Sequence, residues 1–369
     1  HYKIESRPIL DEIEGETRFT APGKVTITVL AIATSRNITL HVNSDRITIN
    51  QENVKLRIQP SGDQLEIIGQ YLEPEKEFYI IELSTALSIN VEYELEIPYT
   101  AILPDTGWVG YYRAYYVNPE TGNTHYMSTT KFEPYHARKA FPSFDEPALK
   151  AIFEVSLARR SNYSSLSNSI IRNTVADPNL PGWFWDHYEP TERMTTYLLC
   201  MIVSDFEYTE ANPGIYSKPV KAWAPSHLIE GAKFVATTTA TILSHYEKLF
   251  RHPYTFPKMD SIYIPQFISG AMENWGLITY RVDKFMYYKE VSTEANRAQV
   301  ASTVAHELSH QWFGNLVTCK WWSDIWLNEG FATYWKYFGL EASVPEFDPH
   351  NRFYIDSLVP AFTSDEGRY

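Results

Sequence analysis

Residues 304–317 read VAHELSHQWFGNLV. Two histidines four positions apart, with a glutamate directly after the first, interrupt an otherwise apolar run. In the longer stretch STEANRAQVASTVAHELSHQWFGN (292–315), Val300, Val304, Leu308 and Phe313 recur at helical intervals. Gly314-Asn315 supplies a C-terminal stop, so the spacing predicts a helix up to that point. On a helix, residues four apart share a face, so His306 and His310 can reach one ion. Glu307 projects toward the same cleft, close enough to act on a water without being a ligand. A catalytic metal needs a third ligand and an open position. Glu329, in WLNEGFA, lies on the next predicted helix, which starts at Ser323 as N-cap and runs through IWLNEGFATYWKYF.

A fixed glutamate after an HExxH match arises by chance only ~0.002 times in a chain of this length. Histidines buried for structural reasons alone would each need separate partners, whereas one ion satisfies both imidazoles and the carboxylate together. Neutral imidazoles with a single carboxylate suit zinc better than magnesium or calcium, which prefer oxygen cages. The pattern therefore points to one zinc ion and to metal-assisted hydrolysis of an amide, with Glu307 moving the proton.

Upstream, the rhythm is different. Between residues 24 and 100, Val25, Ile27 and Val29 alternate with polar residues, as do Val54, Leu56 and Ile58, and Tyr93, Leu95 and Ile97. Period two predicts antiparallel strands with one buried face. GYYRAYYV (110–117) and AIFEVSLARR (151–160) continue the β character, and YLLCMIVSDF (197–206) reads as a last, fully buried strand. GAKFVATTTATILSHYEKLF (231–250) then has helical spacing. The fold expected is α+β and multidomain: a β-rich domain over 1–206, then a mixed, mainly helical domain over 207–369 that carries the zinc motif.

The 369 residues exceed what one ordinary core needs. A composition 44% hydrophobic and 15% aromatic belongs to a packed globular protein. The formal charge of −13, with no basic stripe, argues against a nucleic-acid partner. Cys200 and Cys319 both lie in apolar surroundings and read as buried thiols. Asn37-Ile-Thr39 and Asn162-Tyr-Ser164 are sequons that a secreted protein could glycosylate. The chain has no apolar run of about eighteen residues and opens HYKIESRPIL, so a membrane anchor is expected outside it.

SGAMENWGLITYR (269–281), ARKAFPSFDEPALKA (137–151) and NLVTCKWWSDIWLNEGFA (315–332) flank the zinc motif in order. Together they resemble the gluzincin aminopeptidases of the aminopeptidase N type, across essentially the whole chain. The resemblance implies a saddle-like N-terminal β domain, a thermolysin-like catalytic domain, and peptides with a free N-terminal amine as substrates. It implies that Glu273 binds the substrate's α-ammonium, that Gly270 and Ala271 hydrogen-bond the peptide backbone, and that Met272 helps line the first side-chain pocket. In TTKFEPYHARKAFP it places Glu133 as a second amine anchor, followed by a cis Glu133–Pro134 bond. It further implies an extracellular or membrane-bound setting and a homodimer formed through C-terminal domains outside this sequence.

Three departures stand out. Lys131 replaces a common glutamine and Ser143 a common cysteine, both read as peripheral. The family's transition-state tyrosine has no counterpart before the chain stops at TSDEGRY, and Tyr369 is not assigned that role. The expectation is a portion of a protein of roughly 900 residues that binds zinc and amine but hydrolyses weakly alone. Ala271 and the sequons weigh against the epoxide-opening branch, which has a second glycine there. A zinc endopeptidase would need no amine anchor. A surface receptor or antigen used for binding is the reading from another class.

Overall fold

The computed structural model describes residues 1–367; Arg368 and Tyr369 lie outside the described residues. The chain divides into two compact units, His1–Asp205 and Phe206–Tyr369. The first is β-rich and the second carries the long helices.

In the first unit the alternation of apolar residues becomes the inner face of a nine-stranded sheet. Thr20–Leu30 runs antiparallel to Glu92–Ile102 along its whole length, with Val25 opposite Ile97 and Ile27 opposite Leu95. All four side chains are buried, while the intervening residues face outward, as a period of two requires. The sheet is not wholly antiparallel, because Tyr2–Ser6 pairs in parallel with Phe153–Arg160. YLLCMIVSDF is buried as expected, but only Met201–Ser204 is strand. Thr196–Leu198 before it forms a 3₁₀ turn. Cys200 and Cys319 are both buried thiols. Asn37 and Asn162 are exposed.

The ARKAFPSFDEP stretch folds around one buried carboxylate. Asp145 accepts from Arg138 Nε (3.0 Å) and from Thr196 Oγ1 (2.7 Å). The Glu133–Pro134 bond before it is cis. Ser143 joins a main-chain bridge to His41. Lys131 is not peripheral: it is buried, and its Nζ lies 2.8 Å from Glu133 Oε2. Its alkyl stem covers apolar surface while its charge partners the glutamate, so the departure from glutamine adds a cation next to Glu133.

The second unit begins with a mixed five-stranded sheet. Its order is Glu207–Glu210, Val220–Ala224, Met259–Tyr263, Leu277–Tyr280 and Ala271–Met272. Three helices pack with it: α1 (Ile229–Phe250), α2 (Glu294–His310) and α3 (Trp326–Ser343). Tyr246 of α1 knits them together. Its hydroxyl donates to the Trp335 carbonyl on α3 (2.9 Å) and accepts from Ser309 Oγ on α2 (2.9 Å). Gly339 makes this approach possible, since a Cβ there would lie 2.5 Å from the Tyr246 hydroxyl and 3.0 Å from Ala305 Cβ. Among the described residues, no helix is long and apolar enough to cross a membrane.

Gly339→Ala should therefore force α3 off its neighbours and cost about 1–3 kcal/mol, read as a lower denaturation midpoint. A pH effect follows from His136, which burial, helped by Lys139 and Lys131, pushes down from 6.5 to about 4. The unfolded chain takes up that proton first, so stability falls as pH drops through that window. The thermal midpoint of His136→Gln should fall less steeply there than that of the native protein.

Candidate active site

α2 starts at a capped end, where Thr293 Oγ1 accepts from the Asn296 amide at 3.1 Å. It stops at His310, four residues before the Gly314-Asn315 stop. The reason is local: the Gln311 amide turns back to the Leu308 and Ser309 carbonyls, tightening the last turn. Ser323 is not the cap of α3 either. It sits inside a 3₁₀ turn, Trp322–Asp324, that leads into the helix with no side-chain cap. Glu329 then falls in the first turn of α3, where the helix dipole favours a carboxylate.

Packing of α2 on α3 brings the three expected ligands together. His306 Nε2 and His310 Nε2 are 3.0 Å apart, and Glu329 Oε2 lies 3.3 Å from the first and 3.7 Å from the second. Donor atoms about 2.0–2.1 Å from a tetrahedral zinc stand roughly 3.3 Å from one another, so this set fits that ion. The His310 tautomer agrees. Its Nδ1 donates to the Phe313 carbonyl at 3.0 Å, so Nε2 is the ring nitrogen turned toward the cluster. The His310 side chain is 1% exposed, against 22% for His306 and 47% for Glu329. The cluster is thus closed at His310 and open on the opposite side, as a position for water or substrate requires.

Charge in the site is negative. Burial alone would lower the His310 imidazole, but Glu273, Glu329 and Glu307 raise it to about 10. Burial works to raise the Glu329 carboxyl, yet hydrogen bonds from His306 and His310 hold it far below the usual range. His306 is lowered, mainly by burial. Such a field favours a bound cation. Glu307 is buried on α2 near this charge.

Glu273 sits in the tight turn between Ala271–Met272 and Leu277–Tyr280. Its Oε1 is 3.9 Å from His310 Nδ1, beyond hydrogen-bond reach. Its role is therefore not to orient that ring, whose proton already goes to Phe313. Ala271–Met272 is the edge strand of its sheet, with one main-chain side facing away from the other strands. A Cβ on Gly270 would meet only the Lys284 side chain at 3.7 Å, an ordinary contact, so the fold itself does not demand glycine there. Glu133 belongs to the first unit, beside Lys131.

Sequence reasoning assigned no site role to four neighbours. Gly314, at φ +132°, lies under His310, and a Cβ there would come within 3.1 Å of His310 Nδ1. Asn315 Nδ2 and Gln311 Nε2 both donate to the Glu273 carbonyl, at 2.8 and 3.3 Å. Lys258 Nζ donates to the Gly276 carbonyl at 2.7 Å and pairs with Asp260, holding the other end of the same turn. The available signal was a pair of amides in the apolar run HQWFGN, which would need partners if buried.

Residues 1–198 match the Peptidase M1 N-terminal domain and residues 234–368 the Peptidase family M1 domain. The chain is 34% identical to glutamyl aminopeptidase of Bos taurus, over 99% of this chain and 37% of that protein. It is 36% identical to aminopeptidase A of Gloydius brevicauda, over 99% and 36%. It is 35% identical to aminopeptidase N of Rattus norvegicus, over 99% and 38%. The chain thus spans a little over a third of the length of these relatives.

Gly314→Ala should displace the His310 ring and weaken zinc binding roughly 10–100-fold, measured by titration against a competing chelator. Gly330→Ala, where a Cβ meets nothing within 4 Å, should leave zinc binding unchanged.

Proposed function

The chain belongs to the M1 peptidase family, and from that premise we propose that it carries the metal- and amine-binding residues of a zinc-dependent aminopeptidase. The observation that carries this reading is the convergence of His306, His310 and Glu329, with the carboxylate of Glu273 next to them but outside hydrogen-bond reach of His310. When bound by those three residues, zinc supplies Lewis acidity to the attacking water and the scissile carbonyl.

Glu307 acts as general base, its carboxylate taking the proton of the attacking water and passing it to the leaving amine nitrogen. Glu273 pairs with the substrate's α-ammonium and sets its distance from the ion, so that only the first peptide bond reaches the metal. The edge strand Ala271–Met272, with Gly270 before it, offers main-chain groups to an extended peptide, and Met272 lines the pocket for the first side chain. One relative's name specifies a glutamyl residue and another's specifies none, so the proposal stays with the free amine rather than a preferred side chain.

The test is hydrolysis of a panel of aminoacyl fluorogenic amides by the full-length protein. Glu307→Gln should lower kcat about 10²–10⁴-fold while zinc content is retained. An N-acetylated peptide should resist cleavage by the native protein. Rapid cleavage of it would point to an endopeptidase instead.

A further inference from the structure

An enzyme that measures from an ammonium to a metal needs those two groups at a fixed separation. In the second unit the metal ligands ride on α2 and α3, whereas Glu273 rides on a turn of the sheet. Two buried amides join them. Gln311, 2% exposed, follows the ligand His310 directly, and its Nε2 donates to the Glu307 carbonyl (3.0 Å) and to the Glu273 carbonyl (3.3 Å). The two hydrogens of one amide thus connect the residue carrying the base to the residue carrying the anchor. Because the Gln311 backbone amide has turned to Leu308 and Ser309, this side chain also serves the Glu307 carbonyl at the helix end.

Asn315, 0% exposed, makes the second tie. Its backbone amide donates to the His310 carbonyl at 3.0 Å, and its Nδ2 donates to the Glu273 carbonyl at 2.8 Å. The opposite amide orientation would set oxygen against oxygen, so the contact itself selects the donor. One carbonyl oxygen, with two lone pairs, takes both side-chain donors.

We propose that Gln311 and Asn315 are positioning residues that hold the Glu273 turn at a set distance from the metal helix, and so fix the span between ion and ammonium. The inference rests on the reading that Glu273 binds the ammonium. Misplacement of an anchor by about 1 Å can cost 10²-fold in rate, so the two amides act on substrate selection without touching substrate.

The experiment compares Asn315→Ala and Gln311→Met with the native full-length protein. Gln311→Met keeps length and burial and removes only the amide, so it carries the test if Asn315→Ala does not fold. Four quantities are read: KM and kcat for a free-amine aminoacyl amide, zinc content, and binding of leucinamide to zinc-depleted protein by calorimetry. Each variant should raise KM roughly tenfold with a smaller change in kcat. Each should weaken leucinamide binding by a similar factor, with zinc content unchanged. Unchanged KM and leucinamide affinity, or loss of zinc with KM unchanged, would overturn the proposal. Glu273→Gln runs in parallel. If it leaves leucinamide affinity intact, the anchor assignment itself falls; if it weakens binding while the amide variants do not, only the positioning role falls.

Discussion

Three donor atoms from two helices meet within 3.7 Å of one another, and the second unit is arranged around that convergence. His306 and His310 share a face of α2 by helical geometry alone, but Glu329 arrives only if α3 packs closely against it. That approach depends on Gly339, which has no side chain to collide with Tyr246 or Ala305, and on Tyr246, whose hydroxyl links all three helices. Below the cluster, Gly314 leaves room for the His310 ring, and the Phe313 carbonyl holds its Nδ1 proton. None of these groups touches an ion. They decide whether His306, His310 and Glu329 can converge.

Electrostatics follow the same geometry. Glu273, Glu307 and Glu329 surround His310 so closely that the imidazole is raised despite its burial. Carboxylates so close to one another are costly without a compensating charge. A metal ion and an ammonium are two cations that would relieve the repulsion, one at the ligand set and one at Glu273. The first unit shows another way of managing a half-buried carboxylate: Lys131, itself buried, pairs with Glu133.

Motifs that look alike in sequence do different physical work. Arg138 and Asp145 of ARKAFPSFDEP form a buried structural pair that shapes the loop after the cis Glu133–Pro134 bond. In the HELSHQWFGN stretch, the histidines turn toward each other and Glu329, while Gln311 and Asn315 donate to the Glu273 carbonyl. One short segment therefore supplies both clustered imidazoles and buried scaffold amides, so its polar residues all have partners inside an apolar run.

The sequence by itself determined the HExxH spacing on one helix face and the order of β-rich and helical regions, because these depend on spacing and periodicity. Residues four apart on a helix face one way, and residues two apart on a strand do likewise, whatever surrounds them. Where α2 ends, how α3 begins, and what Gln311, Asn315, Gly314 and Lys131 contact were decided only by tertiary structure. Those outcomes depend on partners distant in the chain: the Glu273 carbonyl for the amides, the His310 ring for the glycine. A carbonyl looks the same at every position of a sequence, so only packing can say which one a buried amide will find.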